Sequence, residues 1–370
     1  MFTGRREISV RSRRRLWALV AIMPSALPRR GDSSSFSPPA NAALPAPCAD
    51  VLRLMRRRSD ALFIPMKPLA ITCGDPAGVG PEIVAAWLNA HPEQASEVAV
   101  LGHGGWLETL PAAVSKIAVV EPGFAAVPGQ PSEAGARIAL GAMERAAAGC
   151  WAGEFSGVVT GPVSKDWLAR IGYEFPGQTE FFAARWGGVP TMAFCGGTLR
   201  VVLLTWHIPF REVPARLTRD EFSRAVRAAD ELARAEGITQ PRIGVCGLNP
   251  HAGEAGLIGR EEREIIDPLL DELRREFPGL SRAEPSDTLF HRQARGEFDV
   301  TVALYHDQGL APLKLVDFDT AVNVTLGLPF VRTSPDHGTA FGIAGKGKAS
   351  ATSFSNAVEV ARRLIARRAS

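Results

Sequence analysis

From residue 69 onward, short runs of aliphatic and β-branched residues alternate with longer stretches whose apolar positions recur at helical spacing. The runs 69–73, 98–101, 117–120, 157–160, 201–205, 243–246, 300–304 and 321–325 predict strands, and 132–148, 219–236, 260–277 and 352–368 predict helices. Strand followed by helix, repeated without an internal sequence repeat, predicts an α/β protein with largely parallel sheets covered by helices. Thr218, three residues before Glu221, reads as a capping box for the helix at 219. The glycines and prolines of 74–81 end the first strand and open a helix with Pro81 in its first turn. Such a start either offers N–H groups to an anion or serves as a tight structural turn.

A chain of 370 residues exceeds what one core usually sustains, so two α/β lobes are expected. Hydrophobic residues at 46% and charged residues at 22% fit a soluble globular body. The net charge of +3 conceals an uneven distribution, because 1–65 carries twelve Arg and four acids and leaves the rest at −5. A mildly acidic body gives no electrostatic footprint for nucleic acid. The segment 1–65 is Arg-rich and Ser/Pro/Ala-rich, and its apolar stretch 16–23 is too short to span a membrane. A secretory signal, an organellar transit peptide and a mis-assigned start compete for it. The reading preferred is a disordered or mis-assigned extension, with translation beginning at Met66. Five scattered cysteines without C-x-x-C spacing read as reduced and intracellular, and argue against a structural zinc site of cysteine type.

Three of the seven histidines, His207, His251 and His306, each follow an apolar run. The carboxyl ends of strands border the ligand crevice in open α/β sheets, so three imidazoles delivered there can converge on one ion and leave positions open for substrate. A single histidine in such a place is more often structural, and spacing alone does not prove convergence. Lys314, Asn323 and Arg332 border apolar segments downstream, and cations at one site suit phosphate or carboxylate. Taken singly, each reads better as a solvated surface group. Asp287 and Asp307 are candidates to orient an imidazole. No complete G-x-G-x-x-G occurs, so a Rossmann-type dinucleotide site is not supported, and 336–347 reads by itself as a flexible Gly-rich loop.

The stretches 74–82 (GDPAGVGPE), 161–165 (GPVSK), 177–180 (GQTE), 249–254 (NPHAGE), 305–309 (YHDQG) and 334–347 together resemble the 4-hydroxythreonine-4-phosphate dehydrogenase (PdxA) family, from about Met66 to the C-terminus. The late Gly-rich loop is also similar to the adenine-side cofactor loop of isopropylmalate and isocitrate dehydrogenases, whose fold that family shares. The resemblance therefore implies two α/β/α lobes with the active site in the cleft between them. The cofactor lobe would span 66–165 plus 335–370, and the metal, substrate and dimerisation lobe 166–334.

The activity implied is NAD-dependent oxidation and decarboxylation of 4-phosphohydroxy-L-threonine to 3-amino-2-oxopropyl phosphate in pyridoxal phosphate biosynthesis, by a cytoplasmic homodimer with shared active sites. NADP is an alternative cofactor, and one divalent ion (zinc, magnesium or cobalt) per site would be held by His207, His251 and His306 from both subunits. Gln178, Thr179, Lys314, Asn323 and Arg332 would bind substrate, Asp287 and Asp307 would support catalysis, and Lys165 would transfer a proton. Asp336, His337, Gly338, Gly342 and Gly345 would face the cofactor. The family usually carries His where this chain has Gln178, which can donate a hydrogen bond but cannot carry charge. A related dehydrogenase acting on another hydroxy acid phosphate or a dihydrodiol, a metal-dependent hydrolase and a catalytically silent binding protein are the competing readings. No nucleic acid or membrane partner is expected.

Overall fold

The computed structural model describes residues 67–370, so the expectations for 1–65, for a start at Met66 and for Cys48 lie outside the described residues. The strands are β1 (Leu69–Thr72), β2 (Val98–Gly102), β3 (Ser115–Ala118), β4 (Gly157–Thr160), β5 (Thr191–Cys195), β6 (Arg200–Leu203), β7 (Ile243–Cys246), β8 (Leu280–Glu284), β9 (Val300–Ala303), β10 (Val322–Leu326) and β11 (Val331–Pro335). The α-helices are α1 (Gly80–Ala90), α2 (Gly104–Leu107), α3 (Glu133–Trp151), α4 (Lys165–Arg170), α5 (Gln178–Trp186), α6 (Arg219–Ala235), α7 (Asp267–Leu273), α8 (Ser286–Ala294), α9 (His306–Asp317) and α10 (Thr352–Ala369).

Eleven strands form one sheet in the order β3-β2-β1-β4-β11-β10-β5-β6-β9-β7-β8. Pairing is parallel from β3 to β11 and again from β6 to β8. The steps β11-β10, β10-β5 and β5-β6 are antiparallel. The fold is thus α/β with a largely parallel sheet, as the alternation predicts, and an antiparallel seam joins two parallel blocks.

Burial on both faces explains the apolar strands. In β1, β2 and β4 alternate residues enter different cores: Leu69, Ile71, Val98, Val100 and Val159 in one, and Ala70, Ala99, Leu101 and Val158 in the other. The seam differs. Val322, Val324 and Leu326 of β10 join the larger core while Asn323 and Thr325 take the alternate positions.

Two sequence expectations change in detail. Thr218 caps α6 through the Glu221 N–H (3.4 Å), but the Glu221 carboxylate pairs with Arg224 (2.7 Å) instead of returning to Thr218. The single helix expected over 260–277 begins as a π-turn, Glu262–Ile266, followed by α7. Pro268 in the first turn of α7 removes one of the amides that would propagate an uninterrupted α-helix backward. The turn at 74–81 is saturated internally: Ala77 N donates to Asp75 Oδ1 (3.0 Å), Gly78 N to Asp75 O (3.0 Å) and Val79 N to Thr339 O (2.9 Å). These donors are committed within the chain, which favours the structural reading of that turn over an anion site.

Candidate active site

A cavity of about 530 Å³ lies on the sheet face over the antiparallel seam. Register builds its floor: Asn323 faces Phe194 and Ser334, while Thr325 faces Met192 and Arg332. Lys165 at the start of α4, Gln178 and Thr179 at the start of α5, His207, His306, Lys314, Asp336, His337 and Gly338 complete the wall. Residues from six separate stretches of sequence are therefore brought to one hollow. The Tyr173 hydroxyl donates to Gly177 O (2.9 Å), fixing the turn from which α5 begins.

Arg332 is the electrostatic centre of the floor. It is 3% exposed, and its Nε and Nη2 donate to Thr160 Oγ1 (3.2 and 2.8 Å) while Nη1 donates to Asn323 Oδ1 (3.2 Å). These partners are neutral, and Arg332 makes no carboxylate ion pair among the described residues. Burial pulls the guanidinium down to about 10, so it stays charged at neutral pH. A desolvated cation with only neutral partners favours an anionic ligand. Lys314, by contrast, is engaged: its Nζ lies 2.9 Å from Asp336 Oδ2. Thr179 and Thr325 share a hydroxyl hydrogen bond of 3.2 Å beside the guanidinium.

His207 follows β6 and His306 opens α9 after β9, so parallel neighbours deliver both imidazoles to the same edge. Their ring centroids lie 5.9 Å apart at an interplanar angle of 35°. Two imidazoles on a single ion have ring centres roughly 5–6 Å apart, so the pair fits that role. His306 Nδ1 lies 2.7 Å from Asp307 Oδ1, and His207 Nδ1 lies 3.6 Å from Glu180 Oε1. A carboxylate on one ring nitrogen leaves the other for a ligand, the usual arrangement around metal-binding histidines. His207 adopts φ 45°, a left-handed backbone that is uncommon outside glycine and recurs at functional sites.

Glu180 ties this corner together. Its Oε1 accepts from Trp206 Nε1 (3.0 Å), and Arg224 lies 5.0 Å from the centre of the Trp206 ring. Burial favours the neutral acid, but the His207 imidazole, the Trp206 N–H and its own amide outweigh burial and hold the carboxyl at about 2. Gln178 Nε2 donates to Gly161 O (3.4 Å), whereas the buried Gln178 Oε1 and Glu180 Oε2 have no partner among the described residues.

A family model described as pyridoxal phosphate biosynthetic protein PdxA matches residues 72–361. The chain belongs to the PdxA family. It is an oxidoreductase in a family named for pyridoxal phosphate biosynthesis. Among PdxA relatives, the 4-hydroxythreonine-4-phosphate dehydrogenase of Zymomonas mobilis is 43% identical over 307 residues, covering 77% of this chain and 91% of its own. The crystal structure of 4-hydroxythreonine-4-phosphate dehydrogenase from Klebsiella pneumoniae matches with a TM-score of 0.68 at 34% identity, over 81% of this chain and 99% of that one. A terephthalate 1,2-cis-dihydrodiol dehydrogenase from Burkholderia xenovorans LB400 matches with a TM-score of 0.60 at 29% identity, over 80% and 98%.

Not every residue that the PdxA resemblance singles out reaches the cavity wall. His251 is exposed on the segment after β7 and is not part of the wall. Among the described residues no three His, Cys, Asp or Glu side chains are grouped to hold a metal ion. Asp287, in the first turn of α8, is exposed and also outside the wall, and Asp307 touches it only through His306. Gly342 and Gly345 lie further along the late loop, where Gly345 N donates to Glu82 Oε2 (3.0 Å). Sequence reasoning gave no role to Thr160, Tyr173, Glu180 or Thr325. The signal for Thr325 was its alternation with Asn323 in β10, which went unused, whereas nothing short of the fold pairs Thr160 with an arginine 172 positions away.

His251 lies in an unusual turn. Residues 251–255 have φ of 51°, 50°, 77°, 45° and 57°, so five consecutive residues are left-handed and four of them are not glycine. Each non-glycine residue so placed costs roughly 1–2 kcal/mol. The surroundings must hold it there.

Proposed function

We propose that the protein is an NAD-dependent and divalent-metal-dependent 4-hydroxythreonine-4-phosphate dehydrogenase, which oxidises and decarboxylates 4-phosphohydroxy-L-threonine to 3-amino-2-oxopropyl phosphate in the cytoplasm. The observation that carries this reading is the buried, carboxylate-free Arg332 guanidinium in the same cavity as two histidines whose Nδ1 atoms face carboxylates. Membership of the PdxA family and the identity to named dehydrogenases support it. No helix among the described residues is long and apolar enough to cross a membrane.

When bound, the ion supplies a Lewis acid and the nicotinamide a hydride acceptor. His207 and His306 would hold that ion, and imidazole donors favour zinc or cobalt over magnesium. His251 would complete the ligand set from the partner of a homodimer, because within one chain it stands apart from the other two. Asp307 and Glu180 orient the two rings. Arg332, with Asn323 beside it and Lys314 shared with Asp336, would anchor the phosphate. Binding energy gathered there, away from the reacting carbon, orients the substrate. Thr179 and Gln178 would contact the amino acid portion, the free Gln178 Oε1 accepting from a substrate N–H or O–H. Lys165, at the cavity wall, would exchange a proton with the substrate. Asp287 would serve the partner's site. Asp336, His337 and Gly338 would border the nicotinamide cofactor, NAD or NADP, with Gly342 and Gly345 further along the same loop. The residues 66–165 plus 335–370 would then form the cofactor side, and 166–334 the metal, substrate and dimer side.

A spectrophotometric assay at the NADH band with 4-phosphohydroxythreonine, with and without chelator, tests this reading. Reduction of NAD that stops on chelation is expected, and no reduction with either NAD or NADP would overturn it. A terephthalate-type dihydrodiol in the same assay tests the second reading, which the Burkholderia xenovorans match supports. Arg332→Lys should raise KM for the phosphorylated substrate by about one to two orders of magnitude, because an ammonium cannot reproduce the planar fork. An unchanged KM would remove Arg332 from the anion pocket.

A further inference from the structure

A run of non-glycine residues in the left-handed region persists only where something nearby compels it. The buried group that anchors the chain just before 251–255 is Glu262. Its carboxylate is 3% exposed and has no cationic partner among the described residues. Oε1 accepts from the backbone N–H groups of Leu248 (2.8 Å) and Asn249 (2.7 Å), and Oε2 accepts from Asn249 Nδ2 (2.9 Å). Gly253 packs directly on it, since a Cβ there would lie 2.7 Å from Glu262 Oε2. A buried carboxylate is an expensive way to fill space, so its acceptor atoms are what the site needs.

The Glu262 carboxylate is itself aimed by irregular backbone. It opens the π-turn, in which the Asp267 N–H bonds Glu262 O. Single π-turns occur frequently at functional sites. From the other side Gln308 braces the root of the same turn: its Nε2 donates to Gly247 O (2.7 Å) and Ser286 Oγ (2.9 Å), and its Oε1 accepts from Leu304 N (2.7 Å). The segment carrying His251 is thereby tied to the start of the helix carrying Asp287 and to the end of the strand that delivers His306.

We infer that Glu262 is a positioning residue: it locks the left-handed turn 251–255 so that His251 is presented, preformed, to a metal site completed on a second copy of the chain. The inference rests on the reading that His251 is a shared metal ligand. A preformed ligand binds more tightly because the turn is ordered before the ion arrives.

The test uses the full-length protein freed of metal and then titrated with cobalt(II), together with amide hydrogen exchange. Glu262→Gln keeps the shape but places an NH₂ against Asn249 Nδ2, two donors facing each other. Exchange over 247–256 should quicken about tenfold or more while the rest of the chain is unchanged, and the cobalt dissociation constant should rise about 10- to 100-fold. The visible cobalt band should shift as one imidazole loosens. Unchanged exchange in Glu262→Gln overturns the inference. Cobalt binding lost in His251→Ala yet kept in Glu262→Gln overturns the inference alone, whereas cobalt binding that survives His251→Ala overturns the shared-metal reading and the inference with it. Should Glu262→Gln not fold, Asn249→Ala removes one of the three bonds and should move exchange and affinity in the same direction by less.

Discussion

Glu180 occupies a place where three demands meet: it closes the corner between α5 and the end of β6, accepts from Trp206, and faces the imidazole of His207. Its folded carboxyl is held at about 2 against an ordinary value of 4.5. A depressed carboxyl stabilises the fold above its unfolded value and loses that contribution as pH falls toward the folded one. Glu180→Gln should therefore weaken the dependence of the unfolding midpoint on pH between 4.5 and about 2, and matched urea titrations across that interval would show it. A slope identical to that of the parent would mean that His207 and Trp206 do not favour the ionised form. Glu180 lies inside a motif that the sequence marks, yet its role was not legible there, because neither Trp206 nor His207 is its neighbour in the chain.

At the scale of elements, the turn between β1 and α1 shows how tightly the framework around the site is packed. Gly74 has φ 71°, and a Cβ on it would lie 2.3 Å from Pro162 O, the backbone of the link that leads from β4 to α4 and Lys165. Gly74→Ala should thus cost more than about 1 kcal/mol of stability, since strain and overlap act together. A denaturation midpoint within error of the parent would show that the link moves aside freely. Elements with strong periodicity, such as α3, α6 and α10, were legible from sequence. β5 and β11 were not, although every residue in both is buried. Arg332, Thr333, Ser334 and Pro335 make β11 read as loop, yet its alternate positions Arg332 and Ser334 line the cavity while the Thr333 hydroxyl donates to Ala357 O on the other face.

For the whole molecule, the decisive fact is that His207 and His306 share a cavity while His251 sits on an exposed turn rooted in a neighbouring strand. Strands β6, β9 and β7 are adjacent and parallel, so all three histidines do follow the same edge of the sheet, as their positions after apolar runs predict. The proposal that the site is shared between two chains makes a stoichiometric prediction. Mixing inactive His207→Ala and His251→Ala proteins under conditions that exchange subunits should restore about a quarter of parental activity, because half the dimers are hybrid and each hybrid has one intact site. No recovery, with subunit exchange verified, would confine each site to a single chain.

What the sequence determined alone is the class of the fold and the inventory of reactive groups: strand and helix periods are local, and the motifs from 74 to 347 are contiguous strings. What the tertiary structure decided is which of those groups meet. Arg332 acquires its character from Thr160, Asn323 and the burial of β11, and the chain leading into the His251 turn is anchored at Leu248 and Asn249 by a carboxylate that belongs to the next helical segment. Desolvation and backbone strain are imposed by neighbours distant in the chain, and periodicity, which sees only near positions, does not register them.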